Sequence, residues 1–179
     1  MSEELEVIRG VAQRLDEARI PYVISGSIAA NYYTTPRMTR DIDIVIEMKA
    51  SDVETFFRLF RDDFFVDQDM VTDGVRKKGM FNLIHAKYVM KIDFILRKDS
   101  AWQGAAFERR KKVTLGNAPI WLISPEDLIL AKLLWAKDSL SELQLKDVAN
   151  LQRSVSSLDR AYLDQWVKAL GLESVYQRV

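Results

Sequence analysis

The chain contains no cysteine. Disulfides, zinc–thiolate sites and a cysteine nucleophile are therefore excluded. Its single histidine, His85, rules out a multi-histidine metal centre and argues against a Ser-His-Asp triad. No charge of one sign prevails: 26 basic and 26 acidic residues balance to a formal net charge of zero. A general polyanion-binding surface is not indicated, and only a local basic patch stays open. No run of about 18 apolar residues occurs, so no transmembrane helix is expected. The acidic, helix-patterned start "MSEELEVIRG" is not a signal peptide. The expected location is cytoplasmic.

What is present suits a soluble globular chain. Its 179 residues fit one domain or a domain with an appendage, and suffice to bury a core. Leu5, Ile8, Ala12, Leu15 and Ala18 recur at helical spacing, predicting a helix over 3–18. Pro21 ends it, "YVIS" reads as a short buried strand, and Gly26-Ser27 turns the chain into a helix over "SIAANYY". Residues 41–47 alternate as a strand. Ser51 and Glu54 form a capping box before a helix over "VETFFRLF". Residues 64–78 are mixed and polar; "DDFFVDQDM" lacks calcium-loop spacing and reads as a loop, with Gly74 and Gly79 as turns. "MFNLIHA" and "YVMKIDFILR" read as paired strands. A helix around "AWQGAAFERR" and a hairpin turning at Gly116-Asn117 follow. From Ser124, a natural N-cap with Pro125 behind it, the pattern is helical to the end. The expected organisation is an α+β core over 1–122, with a mixed β-sheet flanked by helices, and a helical C-terminal region over 123–179 packed on it.

The strand at 41–47 carries the chemistry. Side chains alternate across a strand, so Asp41, Asp43, Val45 and Glu47 share one face and Ile42, Ile44 and Ile46 the other. Asp is a poor strand former, so two at alternate positions require a cause. Hard cations such as Mg²⁺ take oxygen ligands, usually one or two carboxylates with water and phosphate. Two such ions roughly 3.5–4 Å apart clamp the oxygens of phosphoryl transfer. Asp93 leaves the polar face of "YVMKIDFILR"; if the two strands are neighbours, three carboxylates converge. The bland alternative is a solvated strand face paired with Arg37 and Arg40. Likewise Gly26-Ser27 is either a plain turn with Ser27 as N-cap, or a phosphate cradle at a helix N-terminus with Arg37 or Arg40 neutralising charge.

Taken together, Gly26-Ser27, nine residues, Arg37-x-Thr39-x-Asp41-Ile42-Asp43 and the later Asp93 resemble the signature of the DNA polymerase β-like nucleotidyltransferase superfamily. The likeness leans to its small stand-alone bacterial branch, which includes AbiEii-type toxins, and covers about residues 20–97. It implies that Gly26 and Ser27 hold the triphosphate, with Arg37, Thr39 and Arg40 beside it. It further implies that Asp41, Asp43 and Asp93 hold Mg²⁺, one ion or two, and that Asp93, the third carboxylate, helps deprotonate a hydroxyl. The implied reaction moves a nucleoside monophosphate from an NTP, ATP first among donors, and releases pyrophosphate. The acceptor is left open between tRNA, protein and a small molecule, and the toxin branch implies an antitoxin partner.

On a helical wheel Lys132 falls on the apolar face of "SPEDLILAKLLWAK", between Leu128 and Ala136, while Glu126, Asp127, Lys137 and Asp138 fall on the other side. Asp147 sits between Leu143 and Leu151. Lys132 either snorkels to water or pairs with a buried partner, and a Lys132–Asp147 pair would satisfy both charges. These segments resemble the C-terminal pattern of the AbiEii-type branch, where a helical lysine and a later aspartate line the active site. Trp102 and Phe107 read as core. Arg109 to Lys112 form a basic run read as a solvated helix end, or as a contact to a nucleic-acid acceptor. Two other functions compete: a non-catalytic nucleotide- or partner-binding protein of the same fold, and an antibiotic-modifying nucleotidyltransferase.

Overall fold

The computed structural model describes residues 2–39, 41–139 and 141–179. Helix α1 (Glu3–Glu17) starts where the Ser2 hydroxyl accepts from the Leu5 amide, with Glu3, Glu4 and Glu6 in the positive first turn. Strand β1 (Tyr22–Ile24) and helix α2 (Gly26–Tyr33) follow, then β2 (Asp41–Ile46) and α3 (Val53–Phe60). Next come β3 (Phe64–Phe65), α4 (Gln68–Lys77), β4 (Met80–His85) and β5 (Lys91–Leu96). Helix α5 (Ala101–Glu108) precedes the hairpin β6 (Lys111–Leu115) and β7 (Ala118–Leu122). The remainder is helical: α6 (Pro125–Ser139), α7 (Glu142–Ser154), α8 (Arg160–Ala169) and α9 (Glu173–Tyr176).

The strands form one mixed sheet in the order β3-β4-β5-β2-β1-β7-β6. Strands β2 and β5 run parallel and β1 runs antiparallel to β2. One face of β2 and β5 buries Ile42, Ile44, Ile46, Ile92, Phe94 and Leu96. Against it α3 drives Phe56, whose ring lies edge-on 5.1 Å from Phe94 and 5.3 Å from Phe81. At the other end of the strand order α1 packs on β7. Helix α2 packs on β2, and α6 and α7 pack on α2. No helix among the described residues is long and apolar enough to cross a membrane.

Two expectations change. The polar stretch after Phe65 is helix α4, whose amides are capped by Asp67 and whose buried stripe is Val71, Gly74 and Val75. Gly74 is thus not a turn: it lies under Phe81, where a Cβ would stand 2.8 Å from the ring. The Ser51–Glu54 capping box does not form either. A 3-10 turn starts at Ala50, so the Lys49 amide donates to Asp52 (2.8 Å), and Glu54 instead accepts from Gln68 (2.9 Å).

Candidate active site

The register of β2 on β5 sets the site. Asp43 lies opposite Asp93 and Asp41 opposite Lys91. Neighbours in register face the same way, so the four side chains share the face away from the phenylalanine core. Asp93 is buried and Asp43 half-buried, while Asp41 is exposed near the start of its strand. The structure therefore brings Asp43 and Asp93 side by side, with Asp41 two residues back along the ladder. Among the described residues no three acidic, histidine or cysteine side chains close into a ready-made metal cage. Instead the Lys91 ammonium stands 2.7 Å from Asp93 Oδ2 and 4.0 Å from Asp41.

The electrostatics follow. Burial first, and the Asp93 carboxylate second, push Asp43 above the ordinary carboxylate range. The hydrogen bond to Asp93 holds the Lys91 ammonium above its ordinary value. Asp93 Oδ1 is buried with no partner among the described residues. Three carboxylates and one ammonium on a single face leave an excess of negative charge and of oxygen ligands, which fits a hard divalent cation.

The Gly-Ser turn closes one side. The Ser25 amide donates to the Asp43 carbonyl at 2.9 Å, which carries the β1–β2 ladder into the start of α2. Gly26 takes φ +61°, and a Cβ there would lie 1.8 Å from Asp43 Oδ2. Only glycine allows both that backbone and that approach. Ser27 accepts from Arg37 Nη2 at 2.9 Å. Thr39 donates to the Asp41 carbonyl at 3.3 Å, at the entry to β2. Arg40, the remaining candidate of the basic run, lies outside the described residues.

The helical region completes the wall. Lys132 and Asp147 are both buried and bonded at 2.8 Å, the pairing expected from their apolar faces. Lys132 also reaches Gln144 at 3.0 Å, and Arg37 reaches Asp147 at 3.1 Å. Burial pushes Asp147 up, but the bonds from Arg37 and Lys132 outweigh it and leave its carboxyl below the ordinary range. Ser27, Arg37, Asp147 and Lys132 thus form one chain of contacts, and the positive charge of Lys132 acts on Asp43.

Sequence reasoning missed a second buried network. Glu126 and Asp127, placed on the polar side of α6, are buried. Asp127 accepts from Ser124 (2.6 Å), Tyr162 (2.7 Å), Trp102 (3.2 Å) and Arg109 (3.3 Å). Arg109 also bonds Glu126 at 3.1 Å and stacks over Tyr162, so it turns inward and is no solvated helix end. Trp102 and Phe107 are core, as expected.

The family model described as "Nucleotidyl transferase of unknown function (DUF2204)" matches residues 4–177. No curated protein sequence matches. Among solved structures, an antigenic nucleotidyltransferase-like protein from Paracoccidioides brasiliensis is similar at 20% identity and a TM-score of 0.58, covering 97% of this chain and 92% of that one. The antibiotic-resistance factor ANT(2'')-Ia is similar at 12% identity and 0.63, covering 98% of each. The lincosamide antibiotic adenylyltransferase LnuA, lincomycin-bound, is similar at 17% identity and 0.56, covering 87% of this chain and 98% of that one. At these identities the likeness is one of fold, and the expected nucleotidyltransferase-type α+β architecture is borne out.

Proposed function

Since the chain belongs to the nucleotidyl transferase family DUF2204, we propose that it moves a nucleoside monophosphate from an NTP to a hydroxyl, with Mg²⁺ bound by Asp41 and Asp43. The observation that carries the reading is the in-register pair of Asp43 and Asp93 beside the glycine that Asp43 overhangs. That family assignment makes the chain an enzyme, so the reading as a non-catalytic binding protein gives way.

Gly26 and Ser27, at the N-terminus of α2, offer amides and a hydroxyl to phosphate oxygens. Arg37 bonds Ser27 and Asp147, and Lys132 bonds Asp147; both bring positive charge to the same wall. Asp93 is the group to take the acceptor's proton. The acceptor oxygen bonds to the α-phosphorus, and the bond from that phosphorus to the α–β bridging oxygen breaks. The electron pair leaves with pyrophosphate, and the hydroxyl proton passes to the Asp93 carboxylate. Phosphoryl transfer asks for positioning and charge neutralisation more than covalent catalysis, so a chain without cysteine suffices. Mg²⁺, when bound, adds Lewis-acid stabilisation of the charge that builds on the phosphate oxygens.

ATP is the first donor to test. A small-molecule hydroxyl is the first acceptor. Two similar folds, spanning nearly the whole of their own chains, are named for antibiotic resistance and antibiotic adenylylation. The zero net charge also offers little for an extended RNA footprint. The test is pyrophosphate release with Mg²⁺ and each NTP, over a panel of aminoglycosides, lincosamides, tRNA and cell metabolites. Release that needs one acceptor and disappears in Asp43→Asn supports the proposal. Equal release by wild type and Asp43→Asn on every acceptor overturns it.

A further inference from the structure

The β2–β5 ladder sets four side chains at the corners of a rectangle: Asp41 beside Lys91, and Asp43 beside Asp93. Strand spacing and residue rise make that rectangle roughly 4.8 by 6.6 Å. Three corners are carboxylates and the fourth is an ammonium. This placement is a property of the backbone register, independent of any one rotamer. The ammonium is engaged: it lies 2.7 Å from Asp93 Oδ2 and 4.0 Å from Asp41. Asp93 carries only 10% of its side-chain surface exposed, so Lys91 is the nearest neutralising charge for a nearly buried carboxylate. The Lys91 side chain is partly exposed, which keeps the corner open to replacement. The four groups sum to a formal charge of −2, which one divalent ion cancels.

We propose that Lys91 is a resident cation at the Asp93 corner, so that the nucleotide complex of this chain holds one tightly bound divalent ion where three carboxylates alone would hold two. The inference rests on the nucleotidyltransferase reading of the same site. Lys91 restrains metal loading through Asp93: a second divalent ion must displace its ammonium, and like charges a few ångströms apart repel. Asp41 and Asp43 stay available to the first ion.

The test counts ions, independently of turnover. Mn²⁺ is titrated into protein with an equimolar non-reacting analogue, α,β-methylene ATP, and free Mn²⁺ is read by electron paramagnetic resonance against analogue alone. Wild type binds one Mn²⁺ tightly per complex. Lys91→Met binds two, the second at least tenfold tighter than in wild type, while Lys91→Arg keeps one. Thermal melting by circular dichroism confirms the fold of each variant, and Lys91→Gln replaces Lys91→Met if that variant does not fold. Two equally tight ions on wild type, or a single ion on the neutral variant, overturns the role of Lys91 and leaves the nucleotidyltransferase reading standing. Binding of neither Mn²⁺ nor the analogue by any of the proteins overturns both.

Discussion

Asp147→Asn separates the charge of this residue from its shape. Asp147 is buried and accepts from Lys132 and Arg37, and Lys132 itself is 4% exposed. The substitution leaves an ammonium buried without a counter-charge. Breaking one side of a buried pair costs about 3–5 kcal/mol. Lys132 keeps its bond to Gln144 and Arg37 is a third exposed, so the lower end, about 3 kcal/mol, is expected. For a chain of this size each kcal/mol lowers the melting temperature by roughly 2–4 °C, giving a drop of about 6–12 °C. Lys132→Met/Asp147→Leu removes both charges and should return to within about 1 kcal/mol of wild type, because apolar replacements of buried pairs are often neutral. Melting followed by circular dichroism reads both. A single variant that melts within 2 °C of wild type (below the roughly 2–4 °C per kcal/mol scale), or a double variant no better than the single one, contradicts a buried charge pair at this position.

Four further outcomes follow from other contacts of the fold. Gly26→Ala puts a Cβ on the Asp43 carboxylate at a strained φ; nucleotide transfer should fall at least a hundredfold, roughly the cost of a misplaced catalytic group, as read by pyrophosphate release. Asp127→Ala strips four donors of their acceptor and leaves Arg109 half-paired; urea unfolding should show a loss of about 3 kcal/mol, and Tyr162→Phe a loss of about 1 kcal/mol. The Arg14 hydrogen bond holds Asp63 below its ordinary value of 3.8. A depressed carboxyl contributes stability above its unfolded pKa, and that contribution is lost as pH falls through the folded value. Asp63→Asn should therefore match wild type more closely at pH 3 than at pH 6 in urea midpoints, whereas a constant gap would contradict the pairing.

Much of the site was legible because it is written in local alternation. The core side of β2 holds Ile42, Ile44 and Ile46, and the other side carries Asp41 and Asp43, as a period of two requires. Lys132 and Asp147 stood out as charges on apolar faces and are bonded to each other. What escaped depends on partners distant in sequence. Glu126 and Asp127 look like solvated acids opening a helix, yet Trp102, Arg109 and Tyr162 arrive from α5 and α8 to bury them. Helix α4 escaped because its short stripe of Val71 and Val75 includes a glycine, and what it rests on is Phe81 in the following strand. The pairing of Lys91 with the aspartates escaped for a similar reason: only the register of β2 on β5 sets it opposite Asp41.

In the proposed reaction the α-phosphorus of an NTP is the atom attacked. The direct measurement compares ATP labelled at the α-phosphate with ATP labelled at the γ-phosphate, in parallel with Mg²⁺ and a lysate or acceptor panel, on wild type and Asp41→Asn/Asp43→Asn. Label passing to an acceptor from the α-position only, and only with wild type, is the predicted result. Transfer from the γ-position that depends on the added wild-type protein, or α-label transfer that survives in the double variant, contradicts attack at the α-phosphorus.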